Sequence, residues 1–352
     1  MKTIKNYNIY IFISTFTRNI IDVYSVVYLY KLSFTVSEIV SIYAFVYFLG
    51  YFFSYLSIII GNKIGYKYIL MISSVTTSIS FYVINNFHNM YLIAVFLSLS
   101  MFTYHPIRHF YGINILKHRN EIGNNLIFIY IANLLSSYFA ITKIKINYLI
   151  LLSIISIIPA LFIENDLLKK IEYPNNISKN KLRFFFFDQF RIIFILLEPL
   201  FLYIIADDIS YVGVFNIILT VSSIVFIYLL ANKVNVHKKY KYINILFVII
   251  LIIKLNLHNK DLLLIIAFFE GIGIKANELV STINLYDNKI KTNGYIITCE
   301  RMFCMTRALI LSVIYFLQIN LKIILYIMLI GIFFLSFQYK KDTNDWVSFR
   351  YF

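Results

Sequence analysis

The sequence predicts an all-α membrane protein, with twelve transmembrane helices arranged as two six-helix bundles. Three observations carry that prediction. The 352-residue chain is 60% hydrophobic and 14% charged, with a mean hydropathy of +0.77, whereas soluble domains average about 45–50% apolar and about 25% charged. Its apolar residues fall into long runs separated by short polar connections. Its basic residues collect in alternate connections, as the positive-inside rule requires of a multi-pass protein.

Runs of about 17–25 apolar residues suffice to cross a hydrocarbon core. The sequence holds twelve, at 8–30, 38–60, 68–86, 90–112, 122–141, 147–164, 187–206, 209–231, 242–257, 261–284, 293–317 and 321–339. The first is interrupted by Arg18 and Asp22 and is followed by no small-residue cleavage site, so it reads as a span and not as a cleaved signal. The second opens on Thr35-Val36-Ser37-Glu38, which has the spacing of a capping box. Very short connections around His88 and around Asp207-Asp208 predict antiparallel neighbours. The one long hydrophilic connection, 164–183, contains Pro174-Asn175-Asn176 and divides the runs six and six. The expected organisation is a first bundle over 1–164, a cytoplasmic linker over 165–186, a second bundle over 187–339 and a tail over 340–352.

With the N-terminus inside, 20 Lys and Arg fall in cytoplasmic segments. Six (Lys31, Lys143, Lys145, Lys254, Lys260 and Lys322) fall in outside loops. That bias predicts a multi-pass protein of the cell membrane with both termini cytoplasmic. The net charge of +15 is explained by these loop positions, so nucleic acid is not an expected partner. Cys299 and Cys304, five apart in one run, point in different directions and predict no bridge. There is no metal-ligand spacing, nucleotide loop or nucleophile–base pairing, so neither an enzyme nor a cofactor is expected. The 34 Phe and 30 Tyr are too many to mark a substrate site and are expected mostly at lipid and packing surfaces.

After the second run the chain reads Gly61-Asn62-Lys63-Ile64-Gly65-Tyr66-Lys67-Tyr68-Ile69. A weaker copy follows the eighth, Ala231-Asn232-Lys233-Val234 and then His237-Lys238-Lys239-Tyr240-Lys241-Tyr242-Ile243. Both copies sit on the second-to-third connection of their half, as duplicated six-helix units would place them. The first copy resembles the loop signature of the major facilitator superfamily, roughly Gly-x-x-x-Asp-Arg-x-Gly-Arg-Arg/Lys. Asn62, Lys63, Gly65 and Lys67 fall on the Asp, first Arg, second Gly and final basic positions, while Ile58 replaces the first Gly and Tyr66 one Arg. The resemblance implies two bundles rocking about a midplane site and a gating loop formed by Gly61, Asn62, Lys63, Gly65 and Lys67. In the family the Asp of this loop helps latch the outward-facing state; Asn62 keeps a hydrogen bond without the charge. The fifth run (124–140) lacks the Gly-Pro pattern of the family's drug/proton antiporters.

A charge at the bilayer centre costs at least about 2.5–3.5 kcal/mol, so each needs a reason. Charges lie in the first run (Arg18, Asp22), the fourth (Arg108), the seventh (Arg191, Glu198), the tenth (Glu270, Lys275, Glu278) and the eleventh (Glu300, Arg301, Arg307). The resemblance implies that the first, fourth, seventh and tenth helices line the central cavity, so four of the five charged runs are the cavity helices. Arg18 and Asp22 are spaced i, i+4 and share a face, either as a self-neutralising pair or in coupling. Glu198 precedes Pro199, which removes a backbone hydrogen bond and allows a kink. Lys275 stands i, i+3 from Glu278, and because the tenth and eleventh helices run antiparallel, cross-helix pairs such as Glu278 with Arg301 or Glu270 with Arg307 are open to them. Gly271 and Gly273 read either as packing positions or as a hinge. Arg108 is either a substrate contact or a snorkelling cation.

The resulting expectation is a monomeric secondary active transporter embedded in lipid. It would export a small polar or zwitterionic solute in exchange for protons through Asp22, Glu198 and Glu270, with Arg18, Arg108 and Lys275 as further site residues. Two other readings stay open: proton-coupled uptake of a polar nutrient, and a non-transporting immunity or sensor protein of the same fold.

Overall fold

A computed structural model describes residues 2–115, 119–142, 146–164, 179–227, 236–285 and 293–338. Among these residues the chain forms thirteen α-helices: α1 (Lys2–Lys31), α2 (Val36–Ile64), α3 (Tyr66–Asn86), α4 (Met90–Ile115), α5 (Arg119–Ile141), α6 (Ile146–Ile155), α7 (Ile157–Leu161), α8 (Lys179–Ala206), α9 (Ile209–Val225), α10 (Val236–Asn256), α11 (Lys260–Leu285), α12 (Asn293–Leu317) and α13 (Leu321–Gln338). Among the described residues, each apolar run of the sequence holds helix. The second copy of the hinge (Ala231, Asn232, Lys233), most of the linker and the tail lie outside the described residues, as does the side chain of Asp22.

The sixth run differs from expectation. It forms two helices, α6 and α7, interrupted at Ser156. Pro159 has no N–H to offer the carbonyl of Ile155, so the helical ladder cannot run through this point. The Ser156 hydroxyl stitches the break by donating to Ser153 O and Ser74 Oγ, both at 2.7 Å.

Two caps are visible in the sequence. The Thr35 capping box closes α2 at its start, with Glu38 N donating to Thr35 Oγ1 (3.2 Å) and Thr35 N to Glu38 Oε2 (2.7 Å). Gly65 alone separates α2 from α3, at φ 106° and ψ 140°, a backbone conformation that a Cβ disfavours. Its N–H donates to Gly61 O at 2.8 Å.

Five helical stretches are long and apolar enough to cross a membrane by length and composition: Val36–Ile64, Tyr66–Asn86, Met90–Arg108, Lys179–Ala206 and Leu321–Gln338. Large apolar side chains face outward along many helices, among them Phe52, Tyr138, Leu151, Ile253, Phe269 and Phe333. A surface of this kind suits hydrocarbon and would aggregate in water. Inside, α3 is rich in buried hydroxyls: those of Ser74, Thr76, Thr77, Ser78 and Ser80 donate back to carbonyls of their own helix or across to α4 and α6, and that of Ser73 accepts from Arg18. Small hydroxyl residues let helices approach closely while leaving no polar atom unsatisfied in an apolar medium.

The helices form two compact units. The first holds α1 to α4, α5 through Ser136, α6, α7 and α12. Part of its core is a cluster around Tyr7, Tyr10, Ile58, Tyr66, Leu70, Tyr104 and Ile107. Tyrosine hydroxyls in this cluster reach carbonyls, Tyr10 to Leu70 O and Tyr7 to Arg108 O, both at 3.1 Å. In this unit α12 packs along α2 and α4.

The second unit holds α8 to α11, α13 and the last turn of α5. Here α11 lies against α9 so closely that a Cβ on Gly271 would fall inside contact distance of the Leu219 carbonyl oxygen and Ser222 Oγ. The Ser223 hydroxyl donates to Gly271 O at 3.0 Å across the same crossing. Gly271 is thus a packing position. Gly271→Ala is expected to push the two helices apart and to cost about 1–3 kcal/mol of stability, read as a lowered thermal midpoint of the detergent-solubilised protein.

Candidate functional site

Three helices of the second unit bring charged side chains to one point. Lys254 of α10 is fully buried. Its Nζ donates to Glu270 Oε2 of α11 at 2.8 Å and makes an ion pair with Glu198 Oε1 of α8. The ammonium also lies 4.3 Å from the ring centroid of Phe215 on α9 and 5.9 Å from that of Phe194 on α8. An ammonium removed from water is stabilised by carboxylates and by aromatic faces, and here it has both. Glu198 and Glu270 are themselves buried, so two acids share a single base.

The sequence reading assigned Lys254 to an outside loop. The structure corrects this: α10 runs to Asn256, and Lys254 points inward two residues before its end. The available signal was spacing. Tyr240, Asn244, Phe247, Leu251 and Lys254 are all buried and recur every three or four residues, so Lys254 continues the inward stripe of its helix. The same geometry identifies the partner of Glu270 as Lys254.

A second ionic group lies on α8. Arg191 Nε donates to Asp188 Oδ1 at 2.7 Å, and Asp188 Oδ2 accepts from Ser281 of α11 at 2.7 Å. Asp188 stands at the edge of the seventh run and was not counted among its charges. It engages Arg191 seven residues before Glu198. Lys275 and Glu278 form their expected ion pair at 2.8 Å, with Glu278 half exposed.

In the first unit, Arg18 of α1 is buried between α3 and α4. Its Nη1 donates to Ser100 O (2.6 Å) and Ser100 Oγ (3.2 Å), and its Nη2 to Thr77 Oγ1 (2.8 Å), Ser73 O (3.3 Å) and Ser73 Oγ. The guanidinium carbon stands 4.1 Å from the Tyr104 ring centroid. Arg108, one turn further along α4, is 5.9 Å from the same ring. These contacts depend on spacing: Ser73 and Thr77 lie four apart on α3, as do Ser100 and Tyr104 on α4.

On α12, Arg301 stacks on Tyr51 and Tyr55 of α2 at 4.1 and 4.9 Å, and Arg307 on Tyr47 at 5.1 Å. Tyr47, Tyr51 and Tyr55 are four apart and form one tyrosine stripe. Cys299 and Cys304 on the same helix are buried and unbridged.

In the hinge, Lys63 and Asn62 are exposed, and Lys67 lies over the Tyr68 ring at 5.2 Å. Tyr66 is buried against Gly61 and donates its hydroxyl to Asn62 Oδ1 at 2.7 Å. Two positions at which the sequence departs from the superfamily signature therefore bond to each other, a neutral donor to a neutral acceptor.

Neither protein-family models nor curated proteins match this sequence. Solved structures do. A point mutant of the nucleoside transporter NupG superposes with a TM-score of 0.68 at 12% identity, covering 96% of this chain and 100% of that one. A second NupG structure gives 0.61 at 14% identity, covering 97% and 100%. The human organic anion transporter MFSD10 (TETRAN) gives 0.61 at 9% identity, covering 96% and 98%. The fold is therefore one also carried by membrane transporters.

Removing Lys254 strands two buried carboxylates. Lys254→Met is expected to cost on the order of 3 kcal/mol, and adding Glu198→Gln and Glu270→Gln to the same chain to recover most of it. Thermal midpoints of the single and triple variants in detergent check this.

Proposed function

We propose that this chain is a monomeric secondary active transporter of the cell membrane, with twelve spans and both termini cytoplasmic. It moves a small organic solute by alternating access and couples that movement to protons. The observation that carries the reading is the buried Glu198–Lys254–Glu270 group. A fold that serves only as a scaffold has no use for two acids on one buried base, because each buried charge raises the cost of assembly. A proton-driven cycle needs such a group: a carboxyl site inside the protein whose charge depends on whether a proton is bound.

The solute fitted by this chain is polar or zwitterionic. Arg108 beside Tyr104 on α4, and the Lys275–Glu278 pair on α11, put both signs of charge on two of the apolar helices. The neighbours carry nucleosides and organic anions according to their names, and at 9–14% identity neither substrate transfers to this chain. The expectation of export from the sequence and its alternative, uptake, differ only in the sign of one readout.

That readout is accumulation of a panel of dyes, antibiotics, nucleosides and organic acids in cells expressing wild type or Glu198→Gln, with and without a protonophore. At least one compound is expected to change its steady-state level several-fold in wild type and to return to the vector level with protonophore or with Glu198→Gln. A lowered level reads as export, a raised level as uptake. A response that survives both treatments contradicts proton coupling through Glu198, and no response across the panel favours the non-transporting reading.

A further inference from the structure

We propose that the buried group on α8, α10 and α11 holds a single exchangeable proton, that Glu198 carries it, and that Lys254 is the counter-ion left to Glu270 when it is bound. The inference rests on the proton-coupled reading above and adds the stoichiometry and the division of labour.

Charge balance gives the number. Lys254 supplies one positive charge, and Glu198 and Glu270 supply two negative ones. The buried side chains of the elements packed around them add no further charge among the described residues; Lys275 of α11 is paired with Glu278, and Lys322 of α13 is half-buried. The buried side chains of α9 are Val212, Gly213, Phe215, Ser222 and Ser223, and those of α13 are apolar apart from Ser336. On α8 itself the nearest cation, Arg191, is bound to Asp188. With both acids ionised the group carries a net negative charge in a buried site; one proton makes it neutral. A second proton would leave a net positive charge of equal cost.

The packing of each helix gives the identity. The Glu270 side chain is wholly buried, and the next residue, Gly271, is locked against the backbone of α9. The Glu198 side chain retains 6% exposure. Pro199 follows it, so the Ile195 carbonyl has no helical donor and α8 bends most easily at this turn. The proton therefore exchanges at Glu198, on the segment free to move. Glu270 stays ionised with Lys254, on the segment held fixed. Binding the proton exchanges an ion pair between α8 and α10 for a neutral contact, which frees α8 to move. Losing it draws α8 back.

The test is substrate-free. Purified full-length protein in lipid nanodiscs is examined by infrared spectroscopy at neutral pH for the C=O stretch of un-ionised carboxyl groups. Carboxyl groups elsewhere in the chain give the same background in every variant. Relative to wild type, Glu198→Gln and Glu270→Gln should each lose one carboxyl equivalent of this band, because the remaining acid then matches Lys254. Lys254→Met should gain one, and Glu198→Asp, which keeps the acid, should retain the wild-type intensity and guards against misfolding. Equal bands in wild type and Glu198→Gln, or a band that persists in Glu270→Gln, overturn the proposal. The two readings fail separately. Protonophore-insensitive transport with the band pattern intact removes proton coupling and keeps the shared proton. Protonophore-sensitive transport with no change of band removes the shared proton and places coupling elsewhere.

Discussion

The ammonium of Lys254 is the constraint on which the second helical unit depends. It is fully buried, and it holds α10 to α8 through Glu198 and to α11 through Glu270, with the Phe215 ring of α9 beneath it. Four helices of the unit thus meet around one cation. In a low-dielectric interior such a contact is strong, and equally costly to leave incomplete. On the proposed reading one proton changes that charge balance, so the same contact is responsive as well as cohesive.

The first unit handles its buried cation differently. Arg18 is met by two serine carbonyls, three hydroxyls and the face of Tyr104. A guanidinium has five donors in a fixed fork, and neutral acceptors at i, i+4 spacing on α3 and α4 match it. These contacts engage both terminal nitrogens of the guanidinium. Arg18 ties α1 to α3 and α4, while Lys254 ties α10 to α8 and α11. On α12, Arg301 and Arg307 rest on the tyrosine stripe of α2, a third arrangement that lets cations sit among apolar helices.

Much of the fold was legible in the sequence because hydrocarbon imposes length and composition together. Helix ends such as Met90, Ile141, Ile209 and Leu321 fall within a residue of the apolar runs, and the Thr35 capping box and the Gly65 turn are local signals written in adjacent residues. The break at Ser156 was missed because the run 147–164 is apolar throughout, and Pro159 acts on a carbonyl four residues away. Glu198 and Glu270 were legible as charges that need a reason. Their partner was not, since a lysine near the end of an apolar run reads equally as a loop residue, and only the register of α10 turns it inward. The Asn62–Tyr66 bond was hidden for a related reason: each substitution looks like a loss when compared with a motif, and the compensation shows only when both side chains are placed.

If these ionic groups belong to a transporter, the helices carrying them must present the same residues to opposite sides of the membrane in turn. The most direct measurement places single cysteines along α1 and α8 in a chain whose native Cys299 and Cys304 are replaced, and follows labelling by a membrane-impermeant thiol reagent added from either side. The account predicts positions near Arg18 and Glu198 that label from both sides, with the ratio shifting with pH. Labelling of every position from one side only, at every pH, would contradict alternating access and leave a static membrane protein that keeps the fold.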